Sequence, residues 1–108
     1  ERGEGEGIGA NLNLPLPRGT GDDDYLRALD TALARIEAFG TDALVVALGL
    51  DAHENDPFQG LAVTTPGFAR ITGAIRALGL PVLYVQEGGY LSDDLGPNLT
   101  SALEGAQG

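Results

Sequence analysis

The chain has 108 residues, 43% of them hydrophobic, so it fits one domain at most and holds enough apolar residues for a core. Its net charge of −10 argues against binding to nucleic acid or to an anionic membrane surface; it suits a cationic ligand and is also an ordinary means of staying soluble. The absence of Cys excludes disulfide scaffolds and thiolate zinc sites.

Residues 1–22 are predicted to form a loop and an extended lead-in. Gly alternates with Glu over 1–10, which disfavours regular structure because Gly is costly to order and the carboxylates repel each other. Leu alternates with polar residues or Pro over 11–17, which predicts an extended segment that is unpaired or at an edge. No basic segment followed by an apolar stretch is seen, so we identify no signal peptide and expect a cytoplasmic location. The start at Glu1 and the absence of Met suggest a piece of a longer protein.

Three helices are predicted, because apolar residues recur at helical spacing over about 23–39, 66–78 and 94–104. The residues expected to cap or stop them are Asp22 or Asp23, Gly40, Thr65 followed by Pro66, and Gly79. The apolar stripe of the third helix consists of Leu95, Leu99 and Leu103.

Two short apolar runs, 43–50 and 81–85, are typical of strands that are buried on both faces. The longer run is far short of the roughly 20 residues that a transmembrane helix needs. The order strand, helix, strand predicts a βαβ unit with parallel strands and a right-handed crossover. Ligands of open α/β sheets bind beyond the carboxyl ends of the strands. We therefore expect 51–53 (DAH) and 88–90 (GGY) to meet at one edge of the sheet.

Asp51, His53 and Tyr90 are the candidate chemical groups of these two loops. Asp51 could ligate a metal, act in acid–base chemistry, or simply cap the turn that follows. His53 faces the same way as Asp51 on an extended backbone, so both could ligate one metal, although a partly exposed loop His is the plainer interpretation. The Tyr90 hydroxyl could donate a hydrogen bond to a developing oxyanion, or Tyr90 could be a surface residue after a Gly turn. Asp56 followed by Pro is typical of a turn.

Three segments together resemble the zinc-dependent histone deacetylase superfamily: 48–57 (LGLDAHENDP), 61–65 (LAVTT) and 87–90 (EGGY). Two further segments, 34–40 (ARIEAFG) and 98–105 (NLTSALEG), are most similar to the bacterial acetylpolyamine amidohydrolases. The resemblance covers residues 1–108 and corresponds to the C-terminal third of that family's catalytic domain. It implies an arginase-like, three-layer α/β fold with a mostly parallel sheet, and removal of acetyl groups from amines such as acetylpolyamines or acetyl-lysine.

The resemblance also implies roles for matching positions. Asp51 would be one of two carboxylate ligands to a catalytic Zn²⁺. Tyr90 would polarise the substrate carbonyl and stabilise the oxyanion. Gly88 and Gly89 would shape the loop against the stem of the substrate, and Phe58 would form a wall at the mouth of the tunnel. His53 is not a metal ligand in the family pattern.

The chain also departs from the family pattern. The family has a tandem His pair and an Asp-x-His motif, and neither is present here. A catalytic zinc site needs about three protein ligands. We therefore expect that the isolated chain binds zinc poorly and hydrolyses nothing, and that its sheet edge favours a homo-oligomer or the missing N-terminal part of the same domain.

Two other functions stay open at this point. The chain could be a non-catalytic, acidic α/β module that acts through protein contacts. A glycosidase is the second alternative, but it needs an acidic partner for Asp51, and only Glu87 stands near the second strand end.

Overall fold

The computed structural model describes residues 2–108. Its helices and strands, in chain order, are α1 Asp22–Phe39, β1 Leu44–Leu48, α2 Thr65–Arg76, β2 Val82–Gln86 and α3 Leu95–Gln107. Short 3-10 turns lie at Gly5–Gly7 and Leu50–Ala52. The two strands pair in parallel, with Leu44 opposite Val82 and Leu48 opposite Gln86. The predicted α/β class and the parallel βαβ order are confirmed.

The core lies between one face of the sheet and the helices. Its buried members are Leu33, Leu48, Leu50, Val63, Phe68, Ile71, Ile75 and Ala102. Leu44, Val46, Val82 and Tyr84 of the sheet pack against them. Helix α2 contacts both α1 and α3 and supplies the largest share of the buried side chains.

The prediction that both strands are buried on both faces is wrong for this chain. Val45 is 67% exposed, and Leu83, its partner across the sheet, is 60% exposed. Val85 is 43% exposed on the same face. The apolar sequence of the strands indicated cover on both sides, but the helices of this chain lie on one side only. We call Val45, Leu83 and Val85 the open sheet face.

Helix α2 begins one residue before the predicted position. Thr64, not Thr65, is the N-cap, and its hydroxyl accepts a hydrogen bond from Gly67 N at 3.1 Å. Pro66 is therefore the second helical residue. The helix ends at Arg76, and Gly79 follows in the left-handed conformation with a φ of 73°.

Helix α1 has no side-chain cap. Its N-cap is Gly21, so the prediction of Asp22 or Asp23 as cap is wrong, whereas Gly40 ends the helix as expected. The Asp22 carboxylate instead accepts hydrogen bonds from Thr64 N at 2.8 Å and Thr64 Oγ1 at 2.5 Å. Both oxygens of Asp22 are therefore occupied by Thr64, so Asp22 stabilises the start of α2 and not that of its own helix.

Helix α3 buries a face that its Leu spacing did not indicate. Leu95 packs against the core, but Leu99 is 36% exposed and Leu103 is 46% exposed. The buried residues of α3 are Asn98, Ser101 and Ala102. These small or polar side chains let α3 lie close to α2.

The lead-in is partly tied to the rest of the chain. Residues 11–17 form no strand, in line with the prediction of an unpaired segment. Gly19 N donates to Gly60 O at 2.9 Å, and Ala62 N donates to Thr20 O at 2.8 Å. Within residues 2–108 no helix is long and apolar enough to cross a membrane. The cytoplasmic location stays a prediction.

Candidate functional site

The two loops that follow β1 and β2 meet, as the sequence predicts. Beyond the last paired residues, Glu87 N donates to Leu48 O at 2.9 Å and Leu50 N donates to Gly88 O at 3.2 Å. The main chain of the second loop is thereby fastened to the turn that carries Asp51. Both loops lie at the carboxyl edge of the sheet, where α/β proteins bind their ligands.

The Asp51 carboxylate occupies space that a side chain at Gly49 or at Gly88 would fill. We call this place, where the two loops meet, the cleft. A Cβ at Gly88 would lie 3.0 Å from the carboxylate carbon and from both oxygens, and Gly88 has a φ of 68°. A Cβ at Gly49 would lie 2.6 Å from Asp51 Oδ1. Asp51 is half-buried, and no residue in the described part of the chain donates a hydrogen bond to its carboxylate. It therefore does not cap the turn, and both oxygens are available to a ligand.

Tyr90 and Phe58 form an aromatic pair beside this cleft. Their ring centroids are 4.9 Å apart at an interplanar angle of 76°, an edge-to-face contact. Tyr90 is 44% exposed and Phe58 is 66% exposed. The pair therefore presents a phenol and an apolar ring to solvent next to a free carboxylate.

A buried carboxylate holds Phe58 in this place. Asp56 is 5% exposed, and its Oδ2 accepts a hydrogen bond from Phe58 N at 2.8 Å. Gln59 N donates to Asp56 O at 3.0 Å, which closes the turn that the Asp-Pro pair predicts. Arg18 Nη2 donates to Phe58 O at 3.1 Å, so the lead-in also contacts this loop.

His53 is buried, with 4% of its surface exposed, so the interpretation as a partly exposed loop residue is wrong. Nδ1 accepts a hydrogen bond from Asn55 N at 3.2 Å, and Nε2 lies 3.2 Å from Thr65 Oγ1. Because both ring nitrogens are engaged within the protein, neither is available to a metal. The spacing-based hypothesis that His53 and Asp51 ligate one metal is therefore wrong.

The Asp51 carboxylate is a suitable zinc ligand, but the described residues alone do not form a complete zinc site. Carboxylate oxygens are common zinc ligands, and a catalytic site has about three protein ligands. Within residues 2–108 no group of three His, Cys, Asp or Glu side chains could hold a metal. A set of three ligands would therefore need at least one from outside the described residues.

Sequence reasoning missed Gly49, and it gave Asp56 only a place in a turn. Gly49 interrupts the apolar run just before Asp51, and an isolated Gly there is a signal of close approach. The Asp56-Pro57 pair indicated the turn but not the burial of the Asp56 carboxylate, which depends on distant parts of the chain.

Comparison with known proteins gives a consistent match. The histone deacetylase domain family matches residues 1–106. Acetylpolyamine amidohydrolase 1 of Pseudomonas aeruginosa is 43% identical over 108 residues, which are 100% of this chain and 31% of that protein. The acetylpolyamine amidohydrolase of Burkholderia pseudomallei is 46% identical over 105 residues, which are 97% of this chain and 31% of that protein.

Solved structures agree with these sequence matches. A crystal structure of the acetylpolyamine aminohydrolase from Burkholderia pseudomallei superimposes with a TM-score of 0.92 and 45% identity, over 97% of this chain and 31% of that chain. The histone deacetylase Clr3 superimposes with a TM-score of 0.86 and 28% identity, over 97% of this chain and 18% of that chain. The chain thus spans about a third of the length of the amidohydrolases that it matches. With its family match over residues 1–106 and its parallel α/β fold, the chain belongs to the histone deacetylase domain family.

Proposed function

We propose that this chain is the C-terminal third of a zinc-dependent amidohydrolase domain that removes acetyl groups from amines such as acetylpolyamines or acetyl-lysine. The observation that carries the proposal is the close approach of Gly88 to the Asp51 carboxylate where the two loops meet, with Tyr90 two residues beyond Gly88. The matched relatives are acetylpolyamine amidohydrolases, which supports the reaction class. In this proposal residues 1–22 are a lead-in to the domain and not a separate unit.

Each residue of the cleft has one role in the proposed reaction. Asp51 would coordinate zinc through a carboxylate oxygen, and bound zinc would supply the Lewis acid for amide hydrolysis. The Tyr90 hydroxyl donates a hydrogen bond to the amide oxygen and stabilises the negative charge that develops there. Gly88 leaves room for the Asp51 carboxylate, which a side chain there would reach, and Gly89 lets the loop pack on Leu50 and Leu95, 3.0 Å from its Cβ position. The two glycines thereby shape the loop against the stem of the substrate. Phe58 forms an apolar wall for the same stem.

The charge of the chain supports an amine substrate. With a net charge of −10, the surface attracts cations over about a Debye length of 10 Å at moderate salt. An acetylated polyamine keeps at least one ammonium group, so its approach is favoured. We therefore propose acetylpolyamines ahead of acetyl-lysine in a protein.

The open sheet face supports a further proposal about partners. The side chains of Val45, Leu83 and Val85 expose apolar surface to water. Covering that surface lowers the free energy. We propose that the rest of the catalytic domain covers them, and a second copy of the chain is the alternative occupant.

The test uses the full-length product of the reading frame that contains this chain. Asp51→Asn is expected to abolish tight zinc binding and activity together. Tyr90→Phe is expected to keep zinc while lowering kcat by about 10²- to 10³-fold, the usual effect of losing one oxyanion donor. Zinc content is measured by atomic absorption, and hydrolysis is measured on an acetylated diamine and on an acetyl-lysine peptide.

Glu87→Gln is the matched control, because Glu87 is exposed and adjacent to the glycine pair. It is expected to leave amide hydrolysis unchanged, whereas a glycosidase that used Asp51 and Glu87 would lose its activity. If the full-length wild-type protein contains no zinc and hydrolyses neither substrate, the result would instead support the non-catalytic interaction module.

A further inference from the structure

A buried series of hydrogen bonds runs beneath the turn that carries Asp51. A backbone amide can only donate, so Asn55 N, at 3.2 Å from His53 Nδ1, places the proton of the neutral ring on Nε2. Nε2 then donates to Thr65 Oγ1 at 3.2 Å. That hydroxyl donates to Asn98 Oδ1 at 2.7 Å. We call His53, Thr65 and Asn98 the anchor chain.

The anchor chain joins three separate elements. His53 directly follows the Leu50–Ala52 turn, Thr65 is the first residue of α2, and Asn98 lies in the first turn of α3. His53 is 4% exposed and Asn98 is 2% exposed, whereas Thr65 between them is half-buried, so the two ends of the series are shielded from water. The Asp94 carboxylate lies 3.9 Å from His53 Nδ1 and accepts a hydrogen bond from the Asn55 side chain instead.

Asp51 depends on this support because it has none of its own. Its carboxylate accepts no hydrogen bond from any residue within 2–108. The backbone of its turn is held on one side by the bond from Leu50 N to Gly88 O. On the other side it is held through His53, whose backbone also bridges to the fully buried Val63.

We infer that His53 is a positioning residue for Asp51, acting through the anchor chain to fix the direction in which the carboxylate meets a metal. The inference rests on the proposed zinc-dependent function. Hydrogen bonds that orient metal ligands typically change metal affinity or activity by about 10- to 100-fold. Here the support reaches the ligand through the backbone of a turn, since Asp51 itself receives no hydrogen bond.

The first test compares two substitutions of His53 in the full-length gene product. In His53→Asn the amide can take the place of Nδ1 and accept from Asn55 N, but it is too short to reach Thr65. In His53→Gln the longer amide can donate to Thr65 Oγ1. Zinc dissociation constants are measured by chelator competition, well below the melting temperature of each variant. His53→Asn is expected to weaken zinc binding by about tenfold or more, and His53→Gln is expected to stay close to wild type.

The second test removes the middle hydrogen-bonding group of the anchor chain, the Thr65 hydroxyl. Thr65→Val keeps the branched shape at the start of α2 but removes the hydroxyl, whereas Thr65→Ser keeps the hydroxyl. Thr65→Val is expected to weaken zinc binding in the same direction as His53→Asn, and Thr65→Ser is expected to restore it. This pair decides the matter if His53→Asn does not fold.

Two results would overturn the inference. One is a lower melting temperature in His53→Asn and Thr65→Val with zinc affinity unchanged, which would make the anchor chain a stabilising feature only. The other is failure of both variants to fold, which would lead to the same conclusion. Asp51→Asn separates this inference from the proposed function. If Asp51→Asn keeps wild-type zinc affinity, the proposed function is contradicted. If Asp51→Asn loses zinc while His53→Asn and Thr65→Val keep it, only the role of His53 is contradicted.

Discussion

At the scale of single residues, the space around the Asp51 carboxylate is set by two glycines, Gly49 and Gly88. Both lack the Cβ that would otherwise lie within 3.0 Å of a carboxylate atom. Gly88 also has a φ of 68°, in the region that other residues rarely adopt. The position therefore excludes a side chain for two reasons, steric contact and backbone conformation, and a suitable control can separate them.

We predict that Gly88→Ala weakens zinc binding and hydrolysis by tenfold or more, because the new methyl group displaces the Asp51 carboxylate. The control is Gly79→Ala, where φ is 73° but nothing lies within 4 Å. Both changes cost about 1–3 kcal/mol of backbone strain. Only Gly88→Ala is expected to alter zinc affinity at matched fractions of folded protein. Equal zinc affinity in the two variants would show that strain, and not contact with Asp51, limits the position.

Tyr84 presents a different single-residue effect. Its hydroxyl is buried, and no residue in the described range makes a hydrogen bond with it. Burial also raises the pKa of Tyr84 above its ordinary value of 10.0. We predict that Tyr84→Phe raises the free energy of unfolding by about 1 kcal/mol at neutral pH, because an unpaired buried hydroxyl is removed. Urea unfolding of the purified protein measures this, and a loss of stability would show that the hydroxyl is paired.

The same residue predicts the sign of an alkaline effect. Between its unfolded pKa of about 10 and its higher folded pKa, such a phenol holds its proton more in the folded state than in the unfolded state. The free energy of unfolding therefore falls as the pH rises above about 10 and through the folded pKa. Tyr25 in α1 has a pKa raised by burial as well. We expect the free energy of unfolding to fall more steeply above that pH in wild type than in Tyr84→Phe or Tyr25→Phe. Parallel curves in all three proteins would contradict this prediction.

At the scale of elements, α2 and α3 are held together by small residues and short polar contacts. Thr72 Oγ1 donates to Ala102 O at 2.7 Å, and Ser101 Oγ donates to Thr65 O at 2.6 Å. A Cβ at Gly105 would overlap Ala69 O and the Thr72 hydroxyl. The separation of the two helices is therefore fixed by the absence of a single methyl group.

We predict that Gly105→Ala destabilises the protein by about 1–3 kcal/mol, the usual cost of overpacking. Gly96→Ala, in the first turn of the same helix, is the control, because nothing lies within 4 Å of its Cβ position. It is expected to stabilise the helix by about 0.5–1 kcal/mol, since Ala loses less entropy than Gly. The two variants are compared by urea unfolding. The same sign for both would contradict this account of the helix contact.

The elements show which features a sequence can predict. Helical spacing and apolar runs located all five helices and strands, because these patterns follow from local geometry. The predicted N-cap of α2, Thr65, is one residue too late. The true N-cap is Thr64, whose hydroxyl also donates to Asp22 at the start of α1, a contact that local sequence does not reveal. The buried face of α3 was missed because small polar residues carry no hydrophobic signal. In the site, Asp51 and Tyr90 followed from the strand ends and the family motifs, whereas burial of His53 needed α2 and α3 in place.

At the scale of the whole molecule, the open sheet face and the incomplete metal site have one explanation. Val45 and Leu83 lie opposite each other and are more than half exposed. Asp51 belongs to no group of three potential metal ligands among the described residues. Further polypeptide packed on this side would cover the apolar face and could bring the remaining ligands.

We predict that residues 1–108, purified alone, bind zinc weakly, do not hydrolyse an acetyl-lysine peptide, and self-associate through the open sheet face. Replacing Val45 and Leu83 together with Lys is expected to lower self-association in sedimentation equilibrium. The control replaces Ala34 and Ala38, on the exposed side of α1, with the same residue. Zinc-dependent turnover by the isolated chain would contradict the first part, and equal effects of the two double variants would contradict the second.

Because β1 and β2 are parallel, both loops of the candidate site lie at the carboxyl edge of the sheet. The opposite, amino-terminal edge carries none of the site residues. Gly40 and Gly79 precede the strands, and nothing lies within 4 Å of either Cβ position. The strands that follow are five residues long, so at about 3.3 Å per residue their two ends are roughly 16 Å apart. The loops of Asp51 and Tyr90 follow the far end. A fluorophore or surface tether attached at the amino-terminal edge would leave the opposite rim facing solution. The protein could thus be immobilised in a defined orientation with its cleft accessible.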